Sequence, residues 1–175
     1  MGIFDKLFGK KPEIHAESVS AINLAENQVA AVVTGEAVEL KTVKDPVFSS
    51  EMMGKGVGII PQANQVYAPV SGTLTVAYPT GHAYGIQADS GMELLIHIGV
   101  DTVNLEGKHF TTNKKQGDKI QAGELLGTFD RQAISKAGYD TTVMLIVTNT
   151  DQYQDVKPTH LGQINNKEVV VEVTK

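Results

Sequence analysis

The chain has 175 residues, the length of one compact domain with short tails. Its 15 Lys and Arg residues against 20 Asp and Glu residues give a formal net charge of −5, which argues against nucleic acid as a partner. There are no cysteines, which excludes disulfides, thiolate metal sites and a cysteine nucleophile. The sequence shows neither a secretory leader nor an apolar stretch of about 20 residues, so we expect a cytoplasmic protein.

The N-terminal segment differs in pattern from the rest of the chain. In residues 1–11 apolar side chains recur at helical spacing and lysines take other positions. This pattern predicts a short amphipathic helix that makes weak contact with an anionic membrane surface, and a frayed tail is the alternative interpretation. We therefore divide the chain into an N-terminal tail, residues 1–28, and one domain, residues 29–175.

From about residue 29 the pattern is typical of β structure. Short runs rich in Val, Ile, Thr and Tyr are bounded by Gly, Pro, Asn or Asp. Beyond the N-terminus, helical character is limited to one or two turns within residues 130–138. Many short strands with glycine-rich turns predict an all-β sandwich or barrel. The predicted strands are Val29 to Leu40, Tyr67 to Tyr78, His82 to Ala88, Met92 to Val100 and Val143 to Asn149.

A weak internal repeat runs through the first half of the domain. The segment Val33-Thr34-Gly35-Glu36-Ala37-Val38 resembles Val70-Ser71-Gly72-Thr73-Leu74-Thr75, which lies 37 positions further along. Each segment is followed by a turn and a second β run. We therefore expect two copies of one β unit that pair into a single core.

Two of the five histidines lie in strand-like segments that a hairpin would bring together. His97 interrupts an apolar run, and His82 begins the run before it. A four-residue hairpin loop over residues 88–91 would pair them directly, on one face of the sheet and about 5 Å apart. By the same alternation, Thr80 shares this face with His82, and Asp101 shares it with His97 if the strand continues.

The histidine pair is compatible with three kinds of chemistry. Without a serine or cysteine partner, two imidazoles can bind a metal, act as general acid and base, or transfer a phosphoryl group through phosphohistidine. A zinc hydrolase usually has three protein ligands, and Asp101 is the nearest candidate for the third. A hydroxyl and a carboxylate beside the rings can also fix which ring nitrogen carries the proton.

Four segments carry a specific resemblance: DPVFSSEMMGKGVGIIP (45–61), VYAPVSGTLTVAYPTGHAYGI (66–86), SGMELLIHIGVDTVNLEGKHF (90–110) and GDKIQAGELLGTFD (117–130). They resemble the glucose-type enzyme IIA family of the bacterial phosphoenolpyruvate-dependent sugar phosphotransferase system. They occur in the family's order and cover most of residues 29–150. This resemblance implies an antiparallel β sandwich of the barrel-sandwich hybrid type, also called a duplicated hybrid motif, with short helical turns.

The resemblance also implies roles for the site residues. His97 would accept phosphate on Nε2 from the phosphocarrier HPr and pass it to a cysteine of enzyme IIB, which is part of the sugar permease. His82 would hydrogen-bond the phosphoryl group, Thr80 would orient the His82 ring, and Asp101 would lie at the rim of the site. No cofactor is required by this chemistry, although a zinc ion at His82 and His97 is possible as an adventitious or regulatory ligand.

Family positions further predict an apolar surface around the site for HPr and enzyme IIB. Methionine suits a surface that fits more than one partner, because its flexible side chain adapts in shape. Plain core packing is the alternative for each of these residues. The predicted partner-contact residues are Val47, Phe48, Met52, Met53, Tyr78, Leu95 and Val103.

Two other functions are considered beside the phosphocarrier. Zinc peptidases of the LytM type use related β folds with HxxxD and HxH patterns. Here the position four after His82 is Ile86, and the position two before His97 is Leu95, so two ligands are missing. The other alternative is a regulatory or scaffold protein that keeps the fold without the phosphate chemistry.

Overall fold

One antiparallel sheet of eight strands forms the largest part of the computed structural model, which describes residues 22–175. Its strands are β2 (Gly35–Glu39), β3 (Lys55–Pro61), β5 (Gly72–Ala77), β6 (Ala83–Ala88), β7 (Glu93–Ile98), β9 (Lys119–Ile120), β11 (Val143–Val147) and β13 (Gly162–Ile164). Their order across the sheet is β13-β2-β3-β11-β7-β6-β5-β9, so β11 and β7 lie in its middle. The helix predicted within residues 1–11 lies outside the described residues.

Two smaller antiparallel sheets complete the architecture. One has the order β1-β14-β12 and the other β4-β10-β8. Val29, Leu126 and Ile96, one from each of the three sheets, belong to one buried cluster, so the main core lies between the sheets. This is the predicted all-β sandwich. The strands are β1 (Gln28–Ala30), β4 (Gln65–Tyr67), β8 (Phe110–Thr112), β10 (Leu125–Phe129), β12 (Asp155–Pro158) and β14 (Val169–Thr174).

Helical structure within residues 22–175 is short. Helix α1 (Pro46–Ser49) and helix α2 (Arg131–Lys136) each begin after an aspartate whose side chain accepts a backbone N–H of the first turn. The predicted turn within residues 130–138 is therefore confirmed as α2. No helix of this part of the chain combines the length and apolar character needed to cross a membrane. Three 3₁₀ helices span Leu40–Thr42, Thr102–Leu105 and Thr150–Gln152.

Strand β11 is buried on both faces, which explains its uninterrupted run of apolar residues. Val143 and Leu145 point into the main core, whereas Met144 and Ile146 belong to a second buried cluster on the opposite face of the large sheet. Phe48 from α1 also belongs to this second cluster. The neighbouring β7 is therefore held firmly in the middle of the sheet, with one face toward each cluster.

The internal repeat is visible as a pair of matching backbone contacts. The Ala30 N–H donates to the Pro69 carbonyl at 3.0 Å, and the Tyr67 N–H donates to the Val32 carbonyl at 2.8 Å. Residues 67 and 69 lie 37 positions after residues 30 and 32, so each copy makes the same contact with the other. The predicted duplication is confirmed, and the two copies share one core.

Gly35 and Gly72 occupy the same place in the two copies. Gly35 begins β2 and pairs with β3, while Gly72 begins β5 and pairs with β6. A methyl group at Gly35 would overlap the Ile60 carbonyl, and one at Gly72 would overlap the Gln87 carbonyl. Each copy therefore uses glycine to bring two backbones close together at the first residue of its hairpin.

The hairpin between β6 and β7 is one residue tighter than the sequence pattern predicted. The Ala88 N–H donates to the Met92 carbonyl at 2.8 Å, so the loop contains only residues 89–91. Gly91 has φ +97°, the left-handed conformation that closes a three-residue hairpin loop. The prediction of a four-residue loop is wrong, and every cross-strand partner in this hairpin moves by one position.

Candidate functional site

His82 and His97 lie side by side at one end of the large sheet. Their ring centroids are 5.4 Å apart and the ring planes meet at 82°. The strand register pairs His97 with Ala83, so the predicted direct opposition of the two histidines is wrong by one residue. The rings still meet because His82 precedes β6, where Gly81 at φ +75° turns the backbone out of the strand. Strand alternation therefore does not decide the direction of the His82 side chain.

The His97 ring is fixed by a backbone carbonyl. Nδ1 of His97 lies 2.7 Å from the carbonyl oxygen of Gly99. Since a carbonyl oxygen only accepts, Nδ1 carries the proton and donates it in this hydrogen bond. Nε2 then holds the free lone pair, and the half-buried ring presents a defined nucleophilic atom.

His82 is held by a hydroxyl group. Nδ1 of His82 lies 2.6 Å from Oγ1 of Thr80, and the histidine is only 4% exposed. A hydroxyl can donate or accept, so this contact permits either neutral form of the ring. When Thr80 donates, the proton of the His82 ring is on Nε2, which then becomes a hydrogen-bond donor.

The surroundings favour the neutral form of both histidines. Burial lowers the pKa of His97 below its usual value of 6.5. The hydrogen bond to Gly99 and the carboxylates of Asp45 and Asp101 act in the opposite direction but do not offset the burial. Burial also lowers the pKa of His82, and the nearby His97 lowers it further. At neutral pH the site therefore contains two uncharged imidazoles.

Aromatic rings surround the histidine pair. The Phe48 ring lies 5.3 Å from the His97 ring, and the Tyr78 ring lies 5.2 Å from the His82 ring. The Phe110 ring, from β8 of a different sheet, lies 6.4 Å from the His82 ring. Phe110 was not among the predicted site residues, because no local pattern links it to the hairpin. Phe48 thus packs on His97, whereas Tyr78 and Phe110 pack on His82.

Asp101 lies in a loop rather than in a continued strand. Strand β7 ends at Ile98, and Asp101 has φ +58° at the start of a 3₁₀ helix, so the alternation argument does not apply to it. It is exposed, and its carboxylate is close enough to raise the pKa of His97. Asp45 has the same electrostatic effect and was not predicted from the sequence. Its side chain accepts the Val47 N–H at 2.9 Å, which places it at the N-terminus of α1.

Five of the seven predicted partner-contact residues are exposed apolar side chains, and two are not. Phe48 is buried in the second cluster, and Leu95 is half-buried against that cluster. Phe48 therefore packs on the His97 ring instead of offering a free surface. The exposed five are Val47, Met52, Met53, Tyr78 and Val103, with Met52 the most exposed at 79%.

The described residues do not form a complete metal site. Within residues 22–175, no three His, Cys, Asp or Glu side chains are grouped so that they could hold a metal ion. A zinc ion bound by His82 and His97 would need further ligands from outside this part of the chain, because zinc sites have three or four protein ligands. Ile86 and Leu95, at the positions where a LytM-type peptidase has ligands, are buried and half-buried apolar residues.

Comparison with known protein families identifies the family to which this fold belongs. The family model for the phosphoenolpyruvate-dependent sugar phosphotransferase system, EIIA 1, matches residues 27–153. The chain belongs to this EIIA family. The matched range contains both copies of the β unit and all the site residues described above, so the predicted family and fold are confirmed.

Solved and curated EIIA proteins are similar along most of this EIIA chain. Glucose permease IIA from Mycoplasma capricolum matches with a TM-score of 0.76 and 36% identity, covering 82% of this chain and 93% of that one. The glucose-specific EIIA component of Halalkalibacterium halodurans is 40% identical over 150 residues, which are 86% of this chain and 85% of that protein. Both relatives are of similar size to the domain described here.

Other relatives contain the EIIA domain within a longer chain. The β-glucoside-specific EIIBCA component of Bacillus subtilis is 43% identical over 162 residues, which are 93% of this chain and 26% of that protein. The sucrose-specific EIIBCA component of Pediococcus pentosaceus is 49% identical over 159 residues, 91% of this chain and 24% of that protein. This EIIA chain thus spans about a quarter of the length of these multidomain relatives.

Proposed function

We propose that this chain is a phosphocarrier of the sugar phosphotransferase system and that Nε2 of His97 carries the phosphoryl group. The observation that carries the proposal is the hydrogen bond from Nδ1 of His97 to the Gly99 carbonyl, 2.7 Å long. It keeps the proton on Nδ1 and leaves the Nε2 lone pair free beside a second imidazole. Membership of the EIIA family supports the same reaction class.

The transfer consists of two balanced steps. In the first, the His97 Nε2 lone pair forms a P–N bond while the P–N bond of phospho-HPr breaks and its electron pair returns to the HPr histidine. In the second, a cysteine thiolate of enzyme IIB forms a P–S bond while the bond to Nε2 breaks. Because this chain has no cysteine, it cannot supply the thiol acceptor itself. The EIIBCA composition of several relatives supports an EIIB partner.

His82 stabilises the phosphoryl group in this proposal. With Thr80 donating to Nδ1, the His82 ring carries its proton on Nε2, where it can donate a hydrogen bond beside the His97 ring. Phosphoryl transfer depends mainly on positioning and on stabilising charge on the equatorial oxygens, which one hydrogen-bond donor already placed in the site can do. The lowered pKa of both rings keeps them neutral at neutral pH, so the Nε2 lone pair of His97 is free to attack phosphorus.

The five exposed apolar residues provide the docking surface for HPr and enzyme IIB. Val47 follows the N-cap of α1, Tyr78 contacts the His82 ring, and Val103 lies in the 3₁₀ helix after Asp101. An apolar surface around a small polar centre is the usual arrangement of a transient protein interface. Met52 and Met53 adapt to two partners of different shape.

The reaction requires no metal or other cofactor in this proposal. A zinc ion bound to both rings would occupy the Nε2 lone pair of His97 and would replace the Nε2 proton with which His82 donates. We therefore expect phosphate uptake to be unchanged by a metal chelator. A rate that falls on chelation and recovers on adding zinc would contradict this part of the proposal.

Incubation with phosphoenolpyruvate, enzyme I and HPr tests the proposed function. We expect one phosphoryl group per chain, stable in base, labile in acid and mapped to His97 by mass spectrometry. Omitting HPr is the control, and no label should appear. Absence of label in the complete mixture would favour the regulatory or scaffold alternative over the phosphocarrier.

A further inference from the structure

The loop that carries the Gly99 carbonyl is held by a neighbouring segment. Gly99 follows β7, and its N–H donates to the Thr142 carbonyl at 3.0 Å. The next N–H, of Val100, donates to the Asp140 carbonyl at 2.9 Å. Residues 140–142 thus hold both N–H groups on either side of the Gly99 carbonyl, and their conformation determines where that carbonyl points.

The conformation of residues 140–142 depends on the Asp140 side chain. Oδ1 of Asp140 accepts the backbone N–H of Thr142 at 2.8 Å and the hydroxyl of Thr142 at 2.7 Å. Thr142 is buried, so neither donor would find water easily if the carboxylate were removed. One carboxylate oxygen therefore satisfies two donors and folds the turn that precedes β11.

The contact between the two segments leaves little free space. Gly99 has φ +80°, and a methyl group added to it would lie 2.9 Å from the Asp140 carbonyl oxygen. The same methyl group would also meet Cγ2 of Thr102, whose buried hydroxyl donates to the Ile98 carbonyl. The Gly99 peptide is therefore enclosed by its own loop and by the Asp140 turn, so a change in that turn must displace it.

We propose that Asp140 is a positioning residue for phosphoryl transfer, because its side chain folds the turn that holds the Gly99 carbonyl against Nδ1 of His97. This inference rests on the proposed role of His97. It adds Asp140, which lies three positions before β11, to the residues that determine the geometry of the site. Asp140 acts through the backbone and touches neither imidazole in the described contacts.

Asp140 acts by geometry rather than by charge. The carboxylates that influence His97 electrostatically are those of Asp45 and Asp101. The Asp140 side chain instead uses one oxygen as an acceptor of two hydrogen bonds. An asparagine carbonyl can accept the same two bonds, so Asp140→Asn should preserve the turn and Asp140→Ala should not.

The test compares three variants of the full chain by two measurements. The first is the tautomer of His97, read from the nitrogen-15 chemical shifts of its ring in the unphosphorylated protein. The second is the rate of phosphate uptake from phospho-HPr. Asp118→Ala is the matched control, because Asp118 also accepts a backbone N–H in a turn, that of Lys115 at 3.0 Å. It lies beside β9, at the far edge of the large sheet.

We expect Asp140→Ala to move proton population from Nδ1 to Nε2 of His97 and to slow phosphate uptake on the order of tenfold. Asp140→Asn should restore the tautomer and most of the rate, and Asp118→Ala should change neither. An unchanged tautomer in Asp140→Ala would overturn the inference, as would an Asp140→Asn variant as slow as Asp140→Ala. An equal loss of rate in Asp118→Ala would also overturn it, because the effect would then be one of general stability.

Failure of the proposed function gives a different result. If the wild-type chain takes up no phosphate, the role of His97 as acceptor is lost. The tautomer measurement needs no phosphate, so it still decides whether Asp140 positions the Gly99 carbonyl.

Discussion

The two copies of the β unit have the same frame, meaning a pair of antiparallel strands that begins at a glycine, but the strands of each pair are joined by different connections. The connection from β2 to β3 is long and contains a 3₁₀ helix and α1, whereas the connection from β5 to β6 is the short stretch of residues 78–82. Both reach the same site. The long connection supplies Phe48, which packs on His97, and the short connection supplies Tyr78, Thr80 and His82.

This difference shows which parts of the duplicated unit are free to change. Gly35 and Gly72 remain equivalent because each lets two backbones approach closely at the start of a hairpin. The connections carry no such constraint, since loops tolerate changes in length and sequence that paired strands do not. One copy therefore supplies a packing aromatic, Phe48, and the other supplies the hydrogen-bonded pair Thr80 and His82, on the same frame.

Replacing His97 has the largest expected effect, because it removes the proposed phosphoryl acceptor. Both connections contact this residue, the long one through Phe48 and the short one through His82. We expect His97→Ala to take up no phosphate from phospho-HPr, since the proposed acceptor atom, Nε2 of His97, is removed. Radiolabel incorporation measures this directly. His160→Ala, which changes an exposed histidine bonded to the Gln163 carbonyl, should label fully. Full labelling of His97→Ala would remove His97 from its proposed role.

Replacing His82 removes the contribution of the short connection alone. We expect His82→Ala to accept phosphate on His97 but to pass it to enzyme IIB more slowly, on the order of a hundredfold, because one hydrogen-bond donor to the phosphoryl group is lost. Rapid-quench measurement of both half-reactions separates the two steps. Transfer to enzyme IIB at the wild-type rate would show that this step does not need a hydrogen bond from His82.

The equivalence of the two copies can be tested through their glycines. In Gly35→Ala and Gly72→Ala, the added methyl group meets a backbone carbonyl of the neighbouring strand. We expect each variant to lose about 2 kcal/mol of unfolding free energy, within the range for overpacked sites. Urea unfolding of the two variants side by side checks this. A loss in one variant only would mean that the copies differ in their frame as well as in their connections.

The histidine pair should also give the protein a small pH dependence of stability. Both histidines have a folded pKa below the ordinary 6.5, so the unfolded chain binds more protons in the acid range. The contribution of the two histidines to the unfolding free energy should therefore be fully present above pH 6.5 and should decrease as the pH falls below 6.5. Urea unfolding between pH 7 and pH 5 measures the slope, which should be smaller in His82→Asn. An equal slope in His82→Asn would show that His82 does not contribute to the pH dependence of stability.

Sequence patterns predicted the fold and the proximity of the histidines, because these depend on local signals. Runs rich in Val, Ile, Thr and Tyr predicted strands β6, β7 and β11, and the predicted turn at residues 88–91 brought His82 near His97. The predicted strands Val29 to Leu40 and Tyr67 to Tyr78 are each divided into two shorter strands. The register was wrong because the loop length depends on the left-handed conformation of Gly91, which composition alone does not determine. The rings meet in spite of this, since the turn at Gly81 redirects His82.

Residues that reach the site from distant segments were missed. Phe110 comes to His82 through the pairing of β8 with β10, a contact between separate parts of the chain. Asp45 was not predicted as a site residue, although an aspartate before a proline is a recognisable helix N-cap. Asp140 has a similar local signal, because an aspartate two residues before a threonine and a buried strand predicts a turn stabilised by its side chain.

The pairing of β1 with β14 has a consequence for how the domain folds during synthesis. Gln28 and Glu172 are opposite each other in this pair, although 144 residues separate them along the chain. At translation rates of about 5–20 residues per second, β1 waits on the order of ten seconds for its partner. The apolar face of β1 must stay protected during that time, and the domain can close only when its last strand has left the ribosome.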